Sequence, residues 1–204
     1  MDKADKRIVL DLETKRTFDE VGGREHLDQL EVTVVGVFDY GTEEYIIFEE
    51  REIGKLQNLL INASLIIGFN HISFDMPVLQ PYLSLDVKTL PLFDIMVDFQ
   101  QRVGHRISLD SIAQATLGVG KTGHGLDAIR YYREGKMKEL KEYCLNDVKV
   151  TKEVFDFGIA NGKISYMSKF GNQKKDLVVD WKGYKNTKKL TSTQPPAPAQ
   201  YKLF

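Results

Sequence analysis

The chain has 204 residues, enough for one sizeable domain with appended segments and more than the length at which a core needs staples. With 42% hydrophobic and 28% charged residues it has the balance of a soluble globular protein, and its single cysteine, Cys144, excludes a disulfide framework or a cysteine-rich zinc site. The formal net charge of -1 hides a division: from Lys163 onward nine lysines face two acids, giving +7, so residues 1–162 carry -8.

The opening "MDKADKRIVLDLET" runs straight into a strand-like segment without a basic-then-apolar leader. No apolar stretch approaches the length of a membrane span, so a cytoplasmic protein with no membrane partner is the expectation. "RIVLDLET" (7–14) is apolar and β-branched enough for a buried strand. "VTVVGVFDY" (32–40) and "EEYIIFEE" (43–50), joined by the turn residues Gly41 and Thr42, read as antiparallel neighbours. Ile53, Leu56, Leu59 and Leu60 then recur at helical spacing. "SLIIGFN" is a short strand, and "SFDMPVLQPYL" predicts a helix with Ser73 as N-cap and Pro77 in its first turn. "LPLFDIM" predicts a strand leading into a helix through about Val103.

Beyond that point the chain turns helical. "SLDSIAQATLG" has a serine cap and a glycine stop, "GLDAIRYYREG" follows, and a long helix runs from Met137 to about Ala160. Early strands, alternating β and α in the middle and a helical second half indicate an α/β domain with a mixed sheet over residues 1–162. The lysine-rich residues 163–186 predict a basic β-hairpin turning at Gly171 and Asn172, and 187–204 have the composition of a flexible, disordered tail. An acidic body with a basic appendage suits a metal-dependent protein that meets a polyanion; a purely solubilising tail has the same composition.

The acids form the pattern of interest. Asp11 and Glu13 stand at i and i+2 of the first strand, so both side chains leave one face of the sheet. Burying bare carboxylates is costly, and a divalent cation is the simplest compensation. Asp75 lies in the first turn of a predicted helix, where the dipole helps to hold it ionised. Tyr143 and Asp147, in "YCLNDV", are four apart and share a helix face.

Taken in order, "LDLET" (Asp11, Glu13), "GFNHISFD" (Asn70, Phe74, Asp75) and "YCLND" (Tyr143, Asp147) resemble the three motifs of the DnaQ-like DEDD 3′–5′ exonucleases, over roughly residues 7 to 160. The tyrosine four before the last aspartate matches the DEDDy branch; the sister branch carries histidine five before it, where this chain has Glu142. The resemblance implies an RNase H-like fold with a mixed five-stranded sheet flanked by helices. It implies two Mg²⁺ or Mn²⁺ ions, hard cations suited to carboxylate oxygen, held by Asp11, Glu13, Asp75 and Asp147. Tyr143 would orient the attacking water, since a phenol is a poor base at neutral pH. Leu12 and Thr14 would lie near the 3′-terminal nucleotide. Phe74 would either stack on a base or pack in the core, and Asn70 would either contact substrate or tie off its own turn. His71 stands at the edge of the site, His124 in a glycine-flanked loop without chemistry, and Cys144 in the core.

Finally, "QYKLF" follows the extended spacer "PPAPA" and resembles the bacterial sliding-clamp-binding pentapeptide. Gln200, Leu203 and Phe204 would dock on a clamp, the apolar pair in a pocket and the amide at its rim. The expectation is a 3′–5′ exonuclease acting on DNA 3′ ends in replication or repair at the nucleoid. An RNase D-like exoribonuclease and a non-catalytic nucleic-acid or clamp adaptor are the alternatives.

Overall fold

The computed structural model describes residues 5–119, 125–168 and 173–185. The turn residues Gly171 and Asn172, His124, and the clamp-like Gln200, Leu203 and Phe204 lie outside them. Strands β1 (Arg7–Thr14), β2 (Val32–Asp39), β3 (Glu44–Glu49), β4 (Leu65–Gly68) and β5 (Leu92–Asp94) form one sheet in the order β3-β2-β1-β4-β5. β1 runs antiparallel to β2 and parallel to β4, so the sheet is mixed and β1 lies in its middle.

The alternation of β1 divides the core. Ile8, Leu10 and Leu12 point to a cluster with Leu56 and Leu60 of α1 (Ile53–Asn62) and Met76, Val78 and Leu79 of α2 (Asp75–Leu79). Val9 points the other way, toward Val148, Val154 and Phe155 of α6 (Met137–Asn161). α3 (Ile95–Val103), α4 (Leu109–Leu117) and α5 (Gly125–Arg133) occupy the chain between β5 and α6, and Phe99 of α3 and Ile112 of α4 join that second cluster. The register sets Asp11 opposite Gly36 of β2, and that glycine lets α6 come close. A β-carbon on Gly36 would stand 2.9 Å from both Cys144 Sγ and Val148 Cγ2.

The helix expected over residues 73–83 is shorter than its apolar pattern suggests. α2 spans Asp75–Leu79 and passes into a 3-10 turn at Gln80–Tyr82. Ser73 does not cap it: its hydroxyl donates to Asn70 Oδ1 at 2.9 Å, and Phe74 occupies the N-cap position without a side-chain bond. Ser108 does cap α4, accepting from Ser111 N, and Gly118 closes that helix at φ 74°.

β6 (Lys163–Met167) and β7 (Lys174–Val178) form the expected hairpin, which is sewn to the domain. Ile164, Val179 and Trp181 enter the second cluster. Trp181 is fully buried, stacks on Phe155 at 18° and donates from Nε1 to Asp98 Oδ2 at 3.0 Å. A side chain at Gly158 would collide with its ring. Among the described residues no helix is long and apolar enough to cross a membrane.

Candidate metal and nuclease site

Asp11 and Glu13 leave the middle strand on the face that α6 covers, and α6 brings Asp147 to meet them. Each of these half-buried residues offers a carboxylate oxygen within 4.8 Å of the others'. None forms an ion pair with a lysine or arginine among the described residues, so the negative charges face one another without a counterion. Tyr143, one turn earlier on α6, lies close enough that Asp147, Glu13 and Asp11 all act on its phenol.

Asp75 reaches the same place from the other side of β1. Its Oδ1 accepts from the backbone N–H of Leu12, between the two strand acids, at 3.1 Å. It is buried, 3% exposed, and lies beside rather than within the tight group of three. Burial, then the charge of Asp75 and next that of Asp147, raises Asp11 well above the carboxylate range. Glu13 is raised in the same way, by burial and then by Asp147 and Asp75. Burial pushes Asp75 up to about 7 against the opposing influence of His71, and burial with Asp110 pushes Asp147 up to about 6. Burial leads in all four, and for Asp11 and Glu13 the charges of the neighbouring site acids add to it. A divalent cation removes the repulsion, and the all-oxygen donor set fits Mg²⁺ or Mn²⁺ chemistry.

Burial also raises the Tyr143 hydroxyl, as do its acidic neighbours, so it stays a phenol at neutral pH. Cys144 is buried, with Sγ 3.7 Å from the carbonyl oxygen of Asp11 and its thiol pushed up by burial. It is a packing residue, as its sequence position suggested.

A second carboxylate network holds the loop that carries Asp75. Asp94, at the end of β5, accepts at Oδ1 from the backbone N–H groups of Asn70 (2.8 Å), Met96 (3.0 Å) and Val97 (3.3 Å), and at Oδ2 from Ile72 (3.0 Å). It thereby caps α3 and fixes the 70–72 turn, in which Asn70 adopts φ 64°. Burial works to raise Asp94, but His71 and the N–H groups outweigh it and hold the carboxyl below its usual range. Sequence reasoning missed this residue, although an aspartate between a short strand and a helix is an N-cap signal.

The residues expected near the nucleotide are placed as follows. Leu12 and Thr14 are buried, at 4% and 6% exposure, because strand alternation turns Leu12 into the core opposite the acids; only its N–H serves the site. His71 is fully buried, its Nδ1 3.5 Å from Asp94 Oδ2, under a glycine, Gly68, whose β-carbon would overlap its ring. Asn70 ties off its turn, accepting at Oδ1 from Ser73 and from Arg106. Phe74 packs on the first core cluster, edge-on to Phe18 at 5.9 Å, and also lines an open cleft of about 200 Å³. Phe18, Arg24, Leu27 and Arg106, which carry no sequence signal of a site, line that cleft with Asn70, Ser73 and Phe74.

The five-stranded mixed sheet with helices on both faces is the RNase H-like exonuclease fold. It is shared with RNase D of Trypanosoma brucei (TM-score 0.57, 17% identity), which this chain matches over 76% of its own length and 57% of the other's. A T. brucei RNase D complex with RNA U12 matches at TM-score 0.55 and 19% identity over 78% and 56% of the two chains. The family B DNA polymerase of the archaeon Pyrobaculum calidifontis matches at TM-score 0.55 and 20% identity over 76% and 25%. The chain thus spans little more than half of the RNase D chains and a quarter of the polymerase. No curated protein sequence matches it. A family model described as 3′-5′ exonuclease covers residues 1–157, three quarters of the chain, and with the acidic site inside that span the protein belongs to the 3′-5′ exonuclease family.

Proposed function

We propose that the protein is a metal-dependent exonuclease that removes nucleotides from DNA 3′ ends, with Asp11, Glu13, Asp75 and Asp147 holding two Mg²⁺ or Mn²⁺ ions. The observation that carries this reading is the convergence of Asp11, Glu13 and Asp147 within 4.8 Å, with Asp75 hydrogen-bonded to the strand between the first two. When bound, paired divalent cations lower the pKa of water and stabilise both the attacking and the leaving oxygen of an in-line displacement at phosphorus.

The chain's own residues supply the rest. The carboxylates must be ionised to bind cations, so their raised pKa values tie activity to neutral or alkaline pH. Tyr143, kept protonated, positions the attacking water through its hydroxyl and does not remove the proton itself. Asp75 is held for its task by the Leu12 N–H and by the loop that Asp94 fastens. In this reading the protein works at the nucleoid, and Gln200, Leu203 and Phe204 recruit it to a sliding clamp, raising its effective concentration at DNA.

A second reading, in which the substrate is RNA, is favoured by the likeness to the T. brucei RNase D chains, one of them in complex with RNA. Matched 3′-labelled DNA and RNA oligonucleotides, incubated with and without Mg²⁺ or Mn²⁺, decide between them. We expect faster loss of DNA, dependent on metal and abolished by Asp147→Ala; faster RNA loss establishes the second reading, and activity that survives the substitution removes the site.

A further inference from the structure

Six arginines among the described residues are paired with carboxylates: Arg7, Arg16, Arg51, Arg102, Arg130 and Arg133. Among the described residues Arg24 and Arg106 form no ion pair, and both line the cleft beside Phe74. They arrive from separate parts of the fold. Arg24 opens the 3-10 segment Arg24–Gln29, which packs against α2, and Arg106 lies in the connection between α3 and α4. Both are exposed. The Arg24 guanidinium lies 4.5 Å from the centre of the Phe18 ring, and Arg106 Nη2 donates to Asn70 Oδ1 at 2.5 Å. Each has further N–H donors for a ligand, since a guanidinium carries five.

We propose that Arg24 and Arg106 grip the phosphate next upstream of the one being cut, making the cleft a subsite for the penultimate linkage of the strand; this rests on the exonuclease reading above. A guanidinium fork matches phosphate oxygens in geometry and charge. The scissile phosphate is not the ligand, because none of Asp11, Glu13 and Asp147 lines the cleft. A 3′-terminal nucleoside is not the ligand either, since it carries no second phosphate for two arginines to hold. Cleft and cluster are nevertheless linked: Phe74 lines one, and Asp75, the next residue, accepts from the backbone N–H of Leu12 between two acids of the other. Phe18, Leu27 and Phe74 supply the apolar wall that the adjoining nucleoside needs.

The test compares a dinucleoside monophosphate, whose only phosphate is scissile, with the corresponding trinucleotide and with a trinucleotide whose upstream linkage is a neutral methylphosphonate. Arg24→Ala and Arg106→Ala should each raise KM for the trinucleotide about tenfold more than for the dinucleotide, with kcat for the trinucleotide held within about twofold. The methylphosphonate should impose a similar loss on the parent and little further loss on the variants. Equal losses on both lengths, no loss on the trinucleotide, or fully additive effects of methylphosphonate and substitution would overturn the proposal. Fluorescence anisotropy of the labelled trinucleotide in EDTA separates this from the exonuclease reading. A parent that binds about tenfold more tightly than either variant in EDTA but cuts nothing when Mg²⁺ or Mn²⁺ is then supplied supports the arginine pair and sinks the exonuclease reading. Equal binding by parent and variants, or no binding by the parent, sinks the pair.

Discussion

Gly36 and Val148 meet with no room between them: a β-carbon on the glycine would lie 2.9 Å from Val148 Cγ2. Val148 follows Asp147, and Gly36 sits opposite Asp11 in the β1–β2 register. The spacing of strand and helix at this contact therefore sets the separation of the site's carboxylates. Gly36→Ala should push α6 outward, costing about 1–3 kcal/mol of stability and at least tenfold in metal-dependent hydrolysis. Chemical denaturation and a metal titration of activity check it; a variant that melts lower but cuts normally at saturating metal would show that the spacing does not matter to the site.

The raised carboxyl groups fix a sign for the pH dependence without metal. An acid that holds its proton more tightly folded than unfolded stabilises the fold at low pH, and that contribution fades as pH rises through the folded value. The metal-free protein should lose stability from about pH 4, the unfolded carboxyl value, past about 7, where Asp75 ionises, with Asp11 and Glu13 extending the decline. Mg²⁺ or Mn²⁺ should reverse it by binding the ionised form. Asp75→Asn keeps an oxygen for the Leu12 N–H and should raise the metal-free melting temperature by a few degrees at pH 8, by less at pH 5, while abolishing turnover. A variant that melts below the parent at pH 8 in EDTA would contradict the repulsion.

Tyr143→Phe keeps the ring and removes the hydroxyl. Turnover should fall roughly tenfold to a hundredfold, the order expected when a reacting group loses its orientation, with the metal concentration for half-maximal activity unaltered. A shifted metal requirement with unchanged turnover would instead place the hydroxyl in metal binding.

Asp94→Ala strips acceptors from four backbone N–H groups in a buried region. An unsatisfied buried donor costs about 1–3 kcal/mol, and water can enter to satisfy some of them, so a total of about 3–5 kcal/mol is expected in urea denaturation. Asp94→Asn retains one carbonyl acceptor and should fall between. If the alanine variant loses less than about 1 kcal/mol, the loop is fastened by other means.

The two periodicities that carry the site were plain in the sequence. Spacing by two on a strand put Asp11 and Glu13 on one face, and spacing by four on a helix joined Tyr143 to Asp147. The strand rule, carried one residue further, turns Leu12 into the core, which the likeness to other exonucleases obscured. The burial of His71 was not legible, because nothing local reveals that Gly68 makes room for its ring. Ser73 looked like a cap, but the left-handed turn at Asn70 claims its hydroxyl and α2 starts without one. Arg24 and Arg106 were unreadable for a different reason: their common property, the lack of a carboxylate partner among the described residues, exists only once the other arginines have found theirs.

Where the C-terminal segment is fastened has its own consequence. Arg7, the first residue of β1, donates from Nη1 to the carbonyl oxygen of Tyr184 at 3.3 Å, and Trp181 is sunk beside α6. Glu13 lies about 20 Å further along the same strand, at about 3.3 Å per residue. The described C-terminal residues are thus anchored at the opposite end of β1 from Glu13, so the load that holds Trp181 and Tyr184 in place falls on a part of the strand that carries none of the acids.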